Sequence, residues 1–256
     1  MNLPINILWT GGLDSTYLLF KLSKLPIDIF PYYIIDSCRH STRKEINTIE
    51  KITGQLAKRN DIKAVIHKIK IINKNDITSY DDIEEAWKEL NKKYALGSQY
   101  SFLANFARQY NLKLAVGTLF GERSKVEQSI KNTTQLIESD TFPNLFLQIN
   151  NDKKDDPAFI VFERLYFPKF MRNLEKTSEW DYLTENNATD IAQMTWFCHR
   201  PIFGMTCGHC NPCKDALNEG MEWRVSKIGC ILGAIRLYTY DPIMSIWGRA
   251  KRCIKS

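Results

Sequence analysis

Residues 5–20 read Ile5-Asn6-Ile7-Leu8-Trp9-Thr10-Gly11-Gly12-Leu13-Asp14-Ser15-Thr16-Tyr17-Leu18-Leu19-Phe20. Ile5 to Trp9 is a short apolar run, and Thr10-Gly11-Gly12 ends it with a turn. From Ser15 to Lys24, Tyr17, Leu18 and Leu22 recur at helical spacing, so the stretch predicts strand, glycine turn, helix. Two adjacent glycines let the backbone turn sharply and bring its N–H groups close to an anion. At the start of a helix those groups also lie at the positive end of the dipole. Thr10 and Ser15 add hydroxyl donors, and Asp14 suits a magnesium ion or a helix cap. Most glycine turns bind nothing. This one is singled out by the strand before it, the helix after it and its place at the head of an alternating chain.

The alternation continues outward. Ile27 to Ile35 predicts a second buried strand, and His40 to Asn60 a long helix with Ile46, Ile49, Ile52 and Leu56 on one face. Ala64 to Ile72 predicts a third strand. Asp81 to Tyr94 and Ser98 to Tyr110 predict two helices parted near Gly97, and Leu112 to Leu119 a fourth strand. Such a series implies an α/β fold with a parallel, doubly wound sheet covered on both faces. Asn150 to Asp156 is polar and predicts a loop, whereas Pro157 to Leu174 is aromatic-rich and predicts a helix. After Trp196 the pattern changes to cysteine-rich turns followed by helix. The expected organisation is a nucleotide-binding domain over residues 1–195 and a small helical, metal-binding region over 196–256.

The 256 residues are 44% hydrophobic and 25% charged, a folding composition with chain enough for one large domain and an appendage. No stretch approaches the ~18 apolar residues of a membrane-spanning helix, and no signal-peptide pattern opens the chain. The net charge of +6 has one source: His40 to Asn75 holds nine Lys/Arg against three acids. Such a run could attract phosphates or nucleic acid, or be a solvated helix face with an edge strand.

Seven cysteines are present, and Cys198, Cys207, Cys210 and Cys213 fall within sixteen residues. Two overlapping C-x-x-C steps put three thiolates on one tight turn, and Cys198 can return as the fourth ligand of a tetrahedral site. A closed shell of four thiolates makes the metal structural, with Zn2+ favoured over an Fe–S cluster, whose ferredoxin-type run opens with the same spacing. His199 and His209 are further candidate ligands. Cys38, Cys230 and Cys253 are scattered and odd in number, which argues against a disulfide framework. The chain reads as reducing and cytoplasmic.

Thr10-Gly11-Gly12-Leu13-Asp14-Ser15-Thr16 resembles the S-G-G-x-D-S loop of the PP-loop ATP pyrophosphatases, with Thr10 keeping the hydroxyl of the first serine. The resemblance implies that ATP binds by its pyrophosphate, with Mg2+, and is split between the α- and β-phosphates. Neither G-x-x-x-x-G-K-[ST] nor G-x-G-x-x-G occurs. Cys207-Gly208-His209-Cys210-Asn211-Pro212-Cys213 is similar to the C-G-x-C-x-x-C of the 7-cyano-7-deazaguanine synthases, a queuosine-pathway family within that superfamily. Asp36-Ser37-Cys38-Arg39-His40 is similar to that family's D-Y-G-Q-R-H. The chain departs from it at Leu96-Gly97-Ser98-Gln99-Tyr100 and at Gly121-Glu122-Arg123-Ser124-Lys125, where the family reads its carboxylated base.

The resemblance implies a nucleotide site made by Trp9, Thr10, Gly11, Gly12, Leu13, Asp14, Ser15 and Thr16. Asp36, Arg39 and His40 after the second strand and Gly117 in the fourth would complete it. Asp14, Ser15 and Lys125 are the candidate catalytic residues, and Arg123 is a further candidate charge contact. The implied activity is a carboxylate-activating ligase, the acid being 7-carboxy-7-deazaguanine and the nucleophile an amine, giving an amide or nitrile. Three other readings stay open: joining the deazaguanine to an amine of a partner protein, as thought for an antiphage lineage of this family; tRNA thiolation; and a non-catalytic zinc-stabilised binding module. A homodimer is also implied.

Overall fold

The computed structural model describes residues 4–36, 39–121, 124–131, 134–150 and 152–240, the last two by backbone alone. Contacts divide the chain into two units, residues 1–37 with 45–195, and residues 38–44 with 196–256. Among the described residues the chain order is β1 (Pro4–Leu8), α1 (Leu13–Leu22), β2 (Asp28–Ile35), α2 (Thr42–Leu56), β3 (Val65–Ile66) and β4 (Lys70–Asn73). Next come α3 (Asp81–Tyr94), α4 (Gln99–Gln109), β5 (Leu114–Val116), α5 (Lys125–Lys131), β6 (Leu136–Glu138), β7 (Phe146–Ile149) and α6 (Pro157–Phe162). The order ends with β8 (Leu165–Pro168), α7 (Lys176–Glu185), α8 (Thr189–Met194), α9 (Asn211–Asn218) and α10 (Lys227–Ile235).

The first unit is α/β around one sheet, ordered β3-β2-β1-β5-β8-β7-β6, with β4 also paired to β2. Strands from β3 to β8 run parallel, whereas β7 is antiparallel to β8 and β6 to β7. The sheet is therefore mostly parallel but mixed. A short connection such as residues 139–145 can join only antiparallel neighbours. β5, β7 and β8 are buried along their whole length, as strands covered on both faces must be.

Two sequence expectations change. The helix expected through Pro157 to Leu174 stops at Phe162, and Leu165–Pro168 becomes β8. Leu165, Tyr166 and Phe167 favour a pleated, buried surface, and Pro168 cannot continue a helix. The third strand is broken into β3 and β4, which together form the sheet edge beside β2. Lys68 and Lys70 are exposed along this edge, Lys51 on the outer side of α2 and Lys58 just past its end. Charge on an edge blunts its pairing with other chains.

From β1 the chain goes to β2 on one side and later enters β5 on the other. The sheet thus reverses its order between β1 and β5, and the crevice at the carboxyl ends of these strands is where open α/β sheets bind ligands.

In the second unit, Ile202 and Met205 exchange both backbone hydrogen bonds around Phe203-Gly204, whose positive φ values of 48° and 80° suit a two-residue hairpin. Trp196, Phe197 and Ile202 pack around the cysteines. No helix among the described residues is long and apolar enough to cross a membrane.

Candidate functional site

The turn Thr10-Gly11-Gly12 leaves β1 and enters α1. Gly11 has φ +72°, the left-handed region, and a Cβ there would lie 3.1 Å from Thr48 Cγ2. Gly12 is the N-cap, with no side-chain cap hydrogen bond. The first helical bond runs from Thr16 N–H to Gly12 O at 3.0 Å, so the N–H groups of Leu13, Asp14 and Ser15 precede the helical ladder and have no acceptor within it. The hydroxyls brace the turn itself: Ser15 Oγ donates to Gly12 O at 3.3 Å and accepts from Thr10 N–H at 3.2 Å. Thr10 Oγ1 lies 3.2 Å from Ser15 Oγ and accepts from Gly12 N–H at 3.4 Å. Trp9 and Leu13 are buried, and Trp9 Nε1 donates to the buried Thr16 hydroxyl at 3.1 Å. These three side chains support the turn from beneath.

Gly117, just past β5, comes against the same turn. A Cβ there would sit 2.7 Å from Ser15 Cα, 2.9 Å from Asp14 O and 2.9 Å from Ser15 N. Only glycine lets the two carboxyl strand ends close to this distance. The geometry at the β1/β5 reversal thus consists of a glycine on each side and a helix N-terminus between them.

Asp14 is held by α7, an element the sequence reading did not connect to the loop. Lys176 Nζ donates to its carboxylate, and Glu179, fully buried one turn later, is a second neighbour that bears on its titration. Burial alone would raise the Asp14 carboxyl, but Lys176 first and then Glu179 outweigh it, and its pKa falls below the usual carboxylate range. Tyr17 is pushed up to about 12 by burial and then by the Glu179 and Tyr182 charges. Tyr100, buried on α4 and hydrogen-bonded to Thr118 and Gln99, is raised by its burial. Lys176 and Glu179 at i, i+3 near a helix start look in sequence like any surface ion pair.

The remaining expected residues are dispersed. Asp36 follows β2 and accepts from Lys74 Nζ at 3.0 Å. Lys125 is exposed at the start of α5. Arg39, half-buried, and His40, exposed, belong to the second unit. Arg123, Cys38 and Cys253 lie outside the described residues.

The four cysteines come together. The sulfurs of Cys198, Cys207, Cys210 and Cys213 all lie within 4.8 Å of one another, with Cys210 Sγ 3.5 Å from Cys213 Sγ and 3.9 Å from Cys198 Sγ. Tetrahedral Zn2+ at about 2.3 Å from each sulfur would set them about 3.8 Å apart, so the donor set fits such a metal. Cys207 N–H donates to Cys198 Sγ at 3.3 Å and Cys210 N–H to Cys207 Sγ at 3.4 Å, bonds that orient thiolate ligands. Hydrogen bonding with Cys198 and then Cys213 holds Cys210 well below the ordinary thiol range, while Cys198 is pushed up to about 12 chiefly by Cys210. Gly208, at φ +73°, closes the turn where a Cβ would lie 2.2 Å from Cys230 Sγ. His209 Nε2 is 2.8 Å from the Cys230 carbonyl and so donates to it, which occupies that nitrogen away from any metal.

No protein-family model matches the chain, and no curated protein matches it. What stands is an α/β protein with a mostly parallel sheet and a four-cysteine group able to hold a metal such as zinc.

Proposed function

We propose that the chain is an ATP-dependent ligase that adenylates a carboxylate and passes the acyl group to an amine, within the PP-loop class and similar to the 7-cyano-7-deazaguanine synthases. The observation that carries this reading is the meeting of Gly11-Gly12 with Gly117 at the β1/β5 reversal. That meeting brings the start of α1, with the N–H groups of Leu13, Asp14 and Ser15 outside its helical ladder, to the carboxyl ends of β1 and β5.

On this reading the N–H groups of Leu13, Asp14 and Ser15 bind the pyrophosphate portion of ATP. The carboxylate oxygen of the acid attacks the α-phosphorus, the bond to the β-phosphate breaks and pyrophosphate leaves. The amine then attacks the activated carbonyl, loses its proton, and AMP departs. Mg2+ would neutralise charge on the phosphates, and Asp14, ionised beside Lys176, is the carboxylate that would hold it, Lys176 yielding its place. Lys176 would then turn toward the phosphate oxygens. Zn2+ on the four thiolates would fix the second unit and take no part in the reaction.

The acid implied by the resemblance is 7-carboxy-7-deazaguanine. Incubation with ATP, Mg2+, this acid and ammonium, followed by mass spectrometry, tests it. An amide or nitrile supports the reading, and unchanged acid with unspent ATP overturns it.

A further inference from the structure

Ser124-Lys125-Val126-Glu127 leads into α5 with the S-x-x-E pattern of a capping box, and only half of that box forms. Glu127 N–H donates to Ser124 Oγ at 3.1 Å, but Ser124 N–H donates to Gly121 O at 2.8 Å rather than to the glutamate. The Glu127 side chain is instead buried, and its Oε1 accepts from Arg172 Nη2 at 2.5 Å. Lys131 Nζ stands 3.8 Å from the same oxygen. Oε2 is buried and has no hydrogen-bond partner among the described residues. Burying a carboxylate on these terms is costly, and what it holds is one arginine whose side chain is 43% exposed. The result is a guanidinium fixed by one N–H, with the rest of its fork unpaired among the described residues.

Arg172 lies at the carboxyl end of the sheet, near the glycine turn. It pairs with Phe120 past the end of β5, and Asn173 N–H donates to Phe120 O at 2.7 Å. A Cβ on Gly121 would lie 2.1 Å from Asn173 Oδ1. Gly117, at the other end of the same loop, abuts Ser15, and Lys176, on the segment that follows Arg172, reaches Asp14. Residues 117–120 and 172–176 are thus two short bridges between the glycine turn and the arginine, spanning at most about 11 and 14 Å.

On the ligase reading the acid must meet the α-phosphorus, one phosphate beyond the pyrophosphate held at the start of α1. We infer that Arg172, positioned by Glu127, receives the carboxylate of that acid. A guanidinium fork takes a carboxylate through two parallel N–H bonds, which a lysine cannot do. Each carboxylate oxygen keeps a lone pair for attack on phosphorus. Because Glu127 fixes the fork before the acid arrives, less ordering is left to oppose binding. The identity of the acid rests on the ligase reading, whereas the carboxylate contact rests on Glu127 and Arg172.

The test uses the zinc-loaded full chain with Mg2+ and an ATP analogue carrying a methylene group between its α- and β-phosphorus, so that nothing reacts. Calorimetry compares 7-carboxy-7-deazaguanine with its neutral primary amide. The acid is expected to bind at least about tenfold tighter than the amide. Arg172→Gln abolishes that preference without changing the affinity for the analogue, and Arg172→Lys keeps only part of it. Removing the arginine alone strands a buried charge. Glu127→Gln/Arg172→Gln strands none and must lose the preference as well. A double variant that is folded by circular dichroism and still prefers the acid overturns the inference and leaves the ligase reading standing. The inference is also overturned by a loss that falls on the analogue, which would make Arg172 a nucleotide contact, or by a wild type that does not distinguish acid from amide. Acid bound through Arg172 with no pyrophosphate released from ATP supports the inference and overturns the ligase reading alone.

Discussion

Gly117→Ala adds one methyl group at the point where β5 meets the start of α1. The new carbon would lie 2.7 Å from Ser15 Cα and 2.9 Å from both Asp14 O and Ser15 N. Carbon atoms at ease stand about 3.5–4.0 Å apart, so the helix start must retreat by about 1 Å. All three obstructing atoms are backbone, and no rotamer change can relieve them. Overpacking of this kind costs about 1–3 kcal/mol. A misplacement of about 1 Å at a site of reaction costs on the order of 100-fold in rate. The control is Gly54→Ala on α2, where a Cβ meets nothing within 4 Å and a helical alanine stabilises by about 0.5–1 kcal/mol. Urea denaturation, ATP titration calorimetry and pyrophosphate release are measured on both variants. Gly117→Ala is expected to lose stability and nearly all nucleotide binding, while Gly54→Ala loses neither. A Gly117→Ala protein with full stability and full ATP affinity would refute the argument from close approach.

Gly11→Ala places a side chain at φ +72°, costing about 1–2 kcal/mol in the left-handed region, and calorimetry should show weaker ATP binding as well. Lys176→Met leaves the Asp14 carboxylate beside Glu179 without its cation; with both partners about a quarter exposed, the expected loss is about 1–3 kcal/mol by urea denaturation near neutral pH. Because Lys176 and Glu179 together hold Asp14 below its ordinary pKa of 3.8, their stabilising effect is present above that value and fades as pH falls through the lower, folded-state pKa. Acid titration of wild type should therefore show a slope that Lys176→Met reduces. Cys213→Ser removes one of four sulfur donors, and metal analysis should find zinc sub-stoichiometric and residues 196–256 readily cut by protease, whereas His209→Ala keeps its metal.

The glycine turn and the cysteine group were legible because each is local. Both lie within a short stretch where a residue type has one outstanding physical use, φ freedom in Gly11 and Gly208 and soft ligation in the four thiols. Strand, turn and helix over residues 4–22 also follow from periodicity. What escaped the sequence is long-range. Lys176 and Glu179 reach Asp14 across 162 and 165 positions, and i, i+3 spacing on a helix says nothing of a distant partner. The strand at Leu165–Pro168 was hidden because a short apolar run fits a buried helix and a buried strand alike, and only its pairing with β5 and β7 decides. The inward side of α10 was hidden too, since periodicity predicts a helix and only the close approach of Gly229 to Thr206 O and of Gly233 to Cys207 O shows which side is inward.

The direct test of the central claim is which phosphate bond the protein breaks. Phosphorus NMR of ATP and Mg2+ with the protein, 7-carboxy-7-deazaguanine and ammonium should show AMP and pyrophosphate growing in equal amounts, and none with Gly117→Ala. ADP and inorganic phosphate as the products, or ATP unchanged with the acid present, would contradict the account.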